Sequence, residues 1–178
     1  HPDMKHIPGV DMSTGSLGQG VSAAVGMAIS AKLSGDDYRV YTLLGDGEIQ
    51  EGQVWEAAML AAHRKLDNLV VIVDNNGLQI DGKIDDVNSP YPIDKKFEAF
   101  RFHVINVDGQ DFGALKQGFD EAPTVKEHPT ATIAKTIKGK GVSFMEDQAS
   151  WHGVAPNDEQ YKLAMEELEK AGEALCQK

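Results

Sequence analysis

The sequence GDGEIQEG at residues 45–52, followed by LVVIVDNN at residues 69–76, decides the fold of this chain. Each stretch contains or follows an apolar run that predicts a buried strand, and the segment between them has helical spacing. Near-continuous apolar strands separated by helices are typical of a parallel sheet covered on both faces. Residues that end neighbouring strands of such a sheet emerge side by side at its carboxyl edge, where ligands bind. Asp46 and Asn76 are therefore expected to lie close together.

This pair of residues offers oxygen ligands to a metal ion. Asp46 supplies a carboxylate and Asn76 a carboxamide, and hard oxygen ligands suit Mg²⁺, which leaves positions for water and phosphate oxygens. The alternative for Asp46 is an aspartate in a tight turn between two glycines. The alternative for Asn76 is a loop asparagine in the left-handed region, which Asn tolerates. The pattern favours a magnesium–diphosphate site.

The rest of the chain continues the alternation of helices and strands. We expect helices over residues 18–33, 53–66, 92–100, 112–122 and 156–175, the last acidic and capped by Asn157. We expect strands over residues 38–44, 69–74, 103–107 and 130–137, and a loop over residues 76–82 with a turn at Asp81-Gly82. The prediction is one α/β domain over residues 1–178, a three-layer α/β/α arrangement around a mostly parallel sheet.

The composition of the chain limits its partners. The 178 residues include 17 basic and 28 acidic side chains, for a formal net charge of −11. This charge disfavours binding to nucleic acid or anionic lipid, which needs clustered Lys and Arg. No apolar run has the length of a membrane span, and the single Cys176 fits a reducing compartment, so we expect a cytoplasmic protein. An anionic ligand would need a metal, backbone N–H groups or another chain to meet its charge.

Three further segments narrow the interpretation. They are TGSLGQG at residues 14–20, QEGQVWEA at 50–57 and WHGVAP at 151–156. Together with Gly-Asp-Gly and the Asn-Asn pair about thirty residues later, they resemble the diphosphate-binding (PP) domain of transketolase, which uses thiamine diphosphate (ThDP). The resemblance implies the ThDP-binding fold, and ThDP bound with Mg²⁺, for which Ca²⁺ or Mn²⁺ can substitute. The implied reaction moves a two-carbon ketol unit from a ketose phosphate to an aldose phosphate, as in the pentose phosphate pathway.

The resemblance also has consequences for assembly. It covers the chain from His1 to about Pro156, and the family's N-terminal stretch would precede His1. Nothing in the sequence resembles the family's pyrimidine-binding or C-terminal domain. The resemblance implies the N-terminal subunit of a split bacterial transketolase, truncated at its start, that acts with a pyrimidine-domain subunit in an α2β2 heterotetramer. Because the activating glutamate would lie on that partner, we expect the chain alone to bind ThDP weakly and to turn over nothing.

The resemblance assigns the metal ligands and the cofactor contacts. The metal would be held by the side chains of Asp46 and Asn76 and by the backbone carbonyl of Leu78. Asn75 could replace Asn76 if the register shifted by one residue, although the spacing favours Asn76. We expect the cofactor to be contacted by Gly15, Leu17, Gly45, Asp46, Gly47, Glu48, Glu56, Asn76 and His152. For the segment 15–20 the alternative is an ordinary turn at a helix start.

The catalytic candidates are His152, His1 and Glu51. By the resemblance, His152 faces the phosphate side of the cofactor and the reacting carbonyl, His1 lies near the substrate, and Glu51 meets the partner active site. Glu56 would belong to the same network, although acidic residues also favour helix N-termini for electrostatic reasons alone.

Two loop lysines and three other histidines have weaker assignments. Lys138 and Lys140 could contact phosphate, or could only be solvated. We expect His6 to be a surface residue, and His63 and His103 to be structural.

The sequence leaves two other kinds of protein open: a related ThDP enzyme and a non-catalytic subunit. A 1-deoxyxylulose-5-phosphate synthase or a two-subunit 2-oxoacid dehydrogenase component shares the metal motif, although QEG at residues 50–52 and HGVAP at 152–156 favour transketolase. A non-catalytic assembly subunit could keep the fold without the reaction, since fold does not imply function.

Overall fold

The central sheet has four parallel strands in the order β1–β2–β6–β5. The computed structural model describes residues 1–176. The strands are β1 (Val40–Gly45), β2 (Leu69–Asn75), β5 (His103–Asp108) and β6 (Thr130–Lys135), with a small hairpin of β3 (Leu78–Gln79) and β4 (Gly82–Lys83). The helices are α1 (Gln19–Ser34), α2 (Gly52–His63), α3 (Ile84–Val87), α4 (Ile93–Ala99), α5 (Phe112–Glu121) and α6 (Asp158–Cys176). The predicted α/β class with a parallel sheet is confirmed. Within the described residues, no helix combines the length and apolarity needed to cross a bilayer.

The main core lies between one face of the sheet and helices α1, α2 and α4. Successive strand residues point to opposite faces, so Leu69, Val71 and Val73 of β2 all enter this core. Small residues of the two longest helices of this layer, such as Ala28 and Ala61, are fully buried and allow close packing on the sheet. This packing fixes the ends of β1 and β2, where the candidate site lies.

The opposite face is covered by α5, but not along its whole width. Gly118 of α5 lies over β5, where an added Cβ would be 3.4 Å from Val107 Cγ1. At the other edge of the sheet, the β1 side chains Tyr41 and Leu43 are 50% and 67% exposed. We expected helices over both faces of the sheet. At β1, the face opposite the main core is only partly covered.

The predicted elements differ from the observed ones by up to three residues at their ends; the helix predicted over 53–66, for example, ends at His63, and α3 was not predicted. Two differences lie close to the candidate site. The predicted loop over 76–82 contains the antiparallel pair β3–β4, in which Leu78 faces Lys83. The strand predicted over 130–137 ends at Lys135, although the N–H of Thr136 still donates to the carbonyl of Asn75 at 3.2 Å. The predicted cap at Asn157 is confirmed, because its side-chain oxygen accepts from the N–H of Gln160 at 2.9 Å.

Candidate functional site

Asp46 lies immediately after β1, at the carboxyl edge of the sheet. Its strand neighbour Gly45 is in register with Asp74 of β2, so the ends of the two strands are adjacent. The Asp46 residue is only 1% exposed. Its Oδ1 accepts from the N–H of Gly47 at 2.9 Å, and its Oδ2 accepts from the N–H of Gly77 at 2.6 Å. One carboxylate therefore joins the turn after β1 to the turn after β2.

The electrostatic environment of Asp46 lacks a close cation. Burial raises the pKa of the Asp46 carboxyl, and the charge of Asp74 acts in the same direction, whereas the two backbone hydrogen bonds act to lower it. Lys135 lowers it only at longer range. Among the described residues, no ion pair within 4 Å includes Asp46 or Asp74. A buried carboxylate without a paired cation is costly, and a bound cation would remove that cost.

Asn76 lies in the turn after β2, directly before Gly77, whose N–H donates to Asp46. The Asn76 carboxamide is oriented by two neighbours. Its Oδ1 accepts from the N–H of Leu78 at 2.9 Å. Its Nδ2 donates to Asp74 Oδ2 at 3.3 Å, and Asp74 Oδ1 accepts in turn from the hydroxyl of Thr136. Thr136 follows β6, so three strand ends contribute to the site. This chain of contacts turns the Asn76 oxygen away from Asp74.

Asn75 has a different environment. Its Oδ1 accepts from the hydroxyl of Tyr91 at 2.6 Å. Burial raises the pKa of the Tyr91 hydroxyl, and the carboxylates of Asp46 and Asp85 add to this effect, so the hydroxyl stays a donor. The carboxamide oxygens of Asn75 and Asn76 each accept one hydrogen bond, from Tyr91 and from Leu78, so the choice of Asn76 continues to rest on spacing.

Sequence reasoning missed Asp74, Thr136 and Tyr91. Asp74 could have been found, because it directly precedes the Asn-Asn pair at the end of the strand. Thr136 and Tyr91 carry no local signal, because each is brought to the site by the order of the strands or by the path of a loop.

Glu48 connects the site to the start of α1. Its Oε1 accepts from the N–H of Gly18 at 2.9 Å, and its Oε2 accepts from the N–H of Gly45 at 3.1 Å. Gly18 has φ +79°, and a Cβ there would lie 2.9 Å from Glu51 Cβ. The predicted segment 15–20 and the Gly-Asp-Gly turn are therefore brought together, with Glu48 between them and Glu51 beside Gly18.

The first residue of the chain lies against the same turn. An added Cβ on Gly15 would be 2.8 Å from Cγ of the His1 ring, so ring and glycine are in close contact. Leu17 is 60% exposed. The N–H of Gly47, expected to donate to a diphosphate, instead donates to Asp46 Oδ1. An added Cβ on Gly47 would lie 3.2 Å from Gln79 Cβ, so the hairpin closely approaches this turn.

His152 follows a short 3-10 turn, Ala149–Trp151, which contacts β4 of the hairpin. Trp151 is fixed by a hydrogen bond from its Nε1 to the carbonyl of Phe144 at 3.0 Å and by ring contact with the same residue. His152 itself is exposed. The structure therefore holds the residue before His152 in place, close to β4 of the hairpin, and leaves His152 exposed.

The remaining candidates are less closely connected to the site. Glu56 is exposed on α2. Lys140 Nζ lies 3.3 Å from Glu146 Oε1. A backbone hydrogen bond from Gly141, together with Lys140, holds the pKa of the Glu146 carboxyl below its usual value. Lys140 is thus already paired with a carboxylate, whereas Lys138 is half-buried.

The donor atoms at the strand ends suit a hard cation. Within residues 1–176, no group of three or more His, Cys, Asp or Glu side chains is arranged to hold a metal. The site offers one buried carboxylate, one carboxamide and the backbone carbonyls of the hairpin. An oxygen-only set with few protein ligands fits Mg²⁺, which keeps positions for water and phosphate, better than it fits zinc.

The comparison with protein families decides the assignment. The family described as the transketolase thiamine diphosphate binding domain matches residues 1–172. The chain belongs to this family. The resemblance seen in the sequence is confirmed, and the fold is that of a ThDP-binding domain.

Relatives of the chain include proteins named as transketolase subunits. It is 43% identical over 172 residues to the 6-deoxy-6-sulfo-D-fructose transketolase subunit SqwG of Clostridium sp. (strain MSTE9), covering 97% of this chain and 62% of the relative. It is 44% identical over 169 residues to a subunit of the apulose-4-phosphate transketolase of Actinobacillus succinogenes, covering 94% of this chain and 60% of the relative. The chain thus spans about three fifths of the length of these relatives.

Solved structures show the same fold. The crystal structure of transketolase from Campylobacter jejuni superposes with a TM-score of 0.87 at 35% identity, over 95% of this chain and 27% of that one.

Proposed function

We propose that this chain binds Mg²⁺–ThDP and takes part in the transfer of a two-carbon ketol unit from a ketose phosphate to an aldose phosphate. The observation that carries the proposal is the buried Asp46 carboxylate, which has no close cationic partner among residues 1–176 and which accepts from the N–H of Gly77, the residue after Asn76, at the carboxyl edge of the sheet. Membership of the transketolase ThDP-binding family supports the identity of the cofactor.

The metal would be held by Asp46, Asn76 and Leu78. The two side chains would each supply an oxygen, Leu78 would supply its backbone carbonyl, and Ca²⁺ or Mn²⁺ could take the same place. Both Asp46 oxygens accept only one backbone hydrogen bond each, so lone pairs remain for a cation. The ion would neutralise both Asp46 and a diphosphate, which the net charge of −11 would otherwise repel.

The other residues would orient the cofactor and the substrate. Glu48 holds the turn at Gly45 against the turn at Gly18, and so shapes the walls between which the cofactor would lie. Gly15 and Leu17 would contact the aminopyrimidine, and Gly45 and Gly47 would allow the backbone to approach the diphosphate. Bound ThDP supplies an electron sink, and the protein contributes binding, orientation and electrostatics.

Two histidines would act on the substrate side. His152 is exposed and lies beside the hairpin, where it could donate a hydrogen bond to a phosphate or to a reacting carbonyl. His1 lies against Gly15, so its imidazole would meet a substrate bound near the aminopyrimidine. Lys138 would add a positive charge for phosphate.

We propose that activity needs a second subunit that carries the pyrimidine-binding domain, in an α2β2 assembly. Two relatives are named as transketolase subunits, and this chain would form the PP domain of such an enzyme. Glu51 and Glu56, both exposed near the start of α2, would face the partner active site. The names of these relatives also specify anionic sugars, a sulfonated fructose and a sugar phosphate, so the substrates proposed here are sugars with an anionic group.

Titration of ThDP with and without Mg²⁺ tests the metal assignment. The Asp46→Ala variant should lose magnesium-dependent ThDP binding, because the only buried carboxylate of the proposed ligand set is removed. Asp37→Ala, an exposed aspartate between α1 and β1, is the matched control and should bind like the wild type. Unchanged binding by Asp46→Ala would remove the metal assignment.

The reaction itself is tested with xylulose 5-phosphate and ribose 5-phosphate in the presence of the partner subunit. Ketol transfer should be observed, and turnover that depends on pyruvate would contradict the proposal. ThDP binding without any ketol transfer would favour the assembly subunit over the enzyme.

A further inference from the structure

A glutamine after β1 contacts the segment that carries two of the proposed metal ligands. Gln50 ends the 3-10 turn Glu48–Gln50 that follows the Gly-Asp-Gly motif. Its Nε2 donates to Gln79 Oε1 at 2.6 Å and to the backbone carbonyl of Asn88 at 2.7 Å. A single carboxamide therefore holds the hairpin at β3 and also holds the end of the segment 76–88, just after α3.

The segment 76–88 has few other attachments to the domain. Its hairpin consists of two residues in each strand, and an isolated two-stranded hairpin is marginally stable at best. One anchor is the N–H of Gly77, which donates to Asp46 Oδ2. Another is Ile84, whose side chain is 1% exposed. A third attachment is the contact of β4 with the 3-10 turn Ala149–Trp151. On the β3 side, Gln79 contacts the turn after β1.

Gln79 is placed directly against that turn. An added Cβ on Gly47 would lie 3.2 Å from Gln79 Cβ, so a side chain at position 47 would crowd Gln79. The contact between Gln50 and Gln79 therefore closes the hairpin onto the same turn that presents Asp46. Asn76 and Leu78 lie in the part of the segment that is closed in this way.

We propose that Gln50 is a positioning residue whose carboxamide latches the segment 76–88 in the arrangement in which Asn76 and Leu78 present their oxygens to the metal. This inference rests on the proposed Mg²⁺–ThDP function. A segment that is ordered before binding loses less conformational entropy on binding, so the latch would raise the affinity for the metal.

The variant Gln50→Met tests the latch, because it keeps the length of the side chain and removes both hydrogen-bond donors. Gln117→Met, on α5, is the matched control. In the complete protein with saturating ThDP, calorimetric titration should give a Mg²⁺ dissociation constant roughly tenfold higher for Gln50→Met, the loss expected from two hydrogen bonds. The control should match the wild type.

A second measurement separates positioning from general stability. Hydrogen–deuterium exchange without cofactor should be faster over residues 76–88 in Gln50→Met and unchanged over β2. A high Mg²⁺ concentration should restore ThDP occupancy, because the ligands themselves are intact. Faster exchange throughout the domain would instead indicate a structural role and would overturn the inference.

Gln79→Met provides an independent variant, since it removes only one of the two contacts of Gln50. It should weaken Mg²⁺ binding less than Gln50→Met does, and the double variant should be no weaker than Gln50→Met alone. Effects that simply add would overturn the latch, as would an unchanged affinity in Gln50→Met. If the wild-type protein itself fails to bind Mg²⁺ with ThDP, the proposed function is wrong and the latch has no metal to position.

Discussion

The orientation of the Asn76 carboxamide depends on Thr136, which follows a different strand. The Thr136 hydroxyl donates to Asp74, and Asp74 accepts from Asn76 Nδ2. Groups that hold the ligands of a metal tune its affinity even though they do not touch it. At the scale of single residues, the proposed metal site therefore includes the side chains that orient its ligands.

We expect Thr136→Val to weaken Mg²⁺ binding in the presence of ThDP by roughly tenfold, within the range known for residues that orient metal ligands. Valine keeps the shape of threonine but removes the hydroxyl, so Asp74 loses its donor. Thr136→Ser keeps the hydroxyl and should bind within a few-fold of the wild type. A loss in Thr136→Ser as large as the loss in Thr136→Val would contradict a role for the hydroxyl.

At the scale of elements, α5 contains a glycine that could be replaced. Gly118 lies within the helix, and an added Cβ would be 3.4 Å from Val107 Cγ1 and 3.6 Å from Ile105 Cγ2, which are ordinary contacts. Glycine in a helix interior is less favourable than alanine by about 1 kcal/mol.

Gly118→Ala should therefore raise the free energy of unfolding, by roughly 0.5–1 kcal/mol. Gly109→Ala should have the opposite effect and destabilise the domain. An added Cβ at position 109 would lie 2.5 Å from Thr136 Cγ2 and 3.0 Å from the carbonyl oxygen of Lys135, which is too close. Chemical denaturation measures the free energy of unfolding of each variant relative to the wild type. A lower value for Gly118→Ala would contradict the contact geometry.

Asp67 connects three elements at the amino edge of the sheet. Its Oδ1 lies 2.7 Å from Lys32 Nζ of α1, and its Oδ2 accepts from the N–H of Glu127 before β6. Burial acts to raise the pKa of the Asp67 carboxyl, but the contacts from Lys32 and Glu127 outweigh it, so the pKa is lowered overall.

A carboxyl pKa that is lowered on folding stabilises the fold above the ordinary pKa, and this contribution is lost as the pH falls through the folded-state value. Lys32→Met should therefore lower the free energy of unfolding by about 0.5–1 kcal/mol at pH 7, a value reduced by partial exposure of the pair. The difference from the wild type should shrink below the ordinary aspartate pKa of about 3.9. Lys162→Met on α6 is the control and should leave the free energy of unfolding unchanged. If the loss of stability in Lys32→Met does not depend on pH, the ion pair with Asp67 is not its cause.

At the scale of the whole molecule, one face of the sheet is left partly uncovered. The β1 side chains Tyr41 and Leu43 are exposed at the edge of the sheet, and a partner subunit is proposed for this chain. We expect no turnover by the chain alone and ketol transfer when the pyrimidine-domain subunit is added in a one-to-one ratio. Sedimentation should show two copies of each chain, and turnover by this chain alone would contradict the need for a partner.

Much of the candidate site could be predicted from the sequence, because its residues directly follow apolar runs that predict strands. The apolar runs before Asp46 and Asn76 predict strands, and parallel strands bring their carboxyl ends together. The role of Glu48 in joining two turns could not be predicted, because an acidic residue after Gly-Asp-Gly has no preferred partner. The same holds for Tyr91, which reaches Asn75 through the path of a loop.

The sequence by itself determined the α/β class and the approximate extent of the long helices and strands. These follow from hydrophobic periodicity and from capping residues, which act over a few positions of the chain. Only the tertiary structure decided the strand order β1–β2–β6–β5, which places Thr136 beside the end of β2, and the contact of Gln50 with Gln79. Periodicity states which face of a strand is buried but not which strand lies next to it, so contacts between distant side chains appear only when the layers pack.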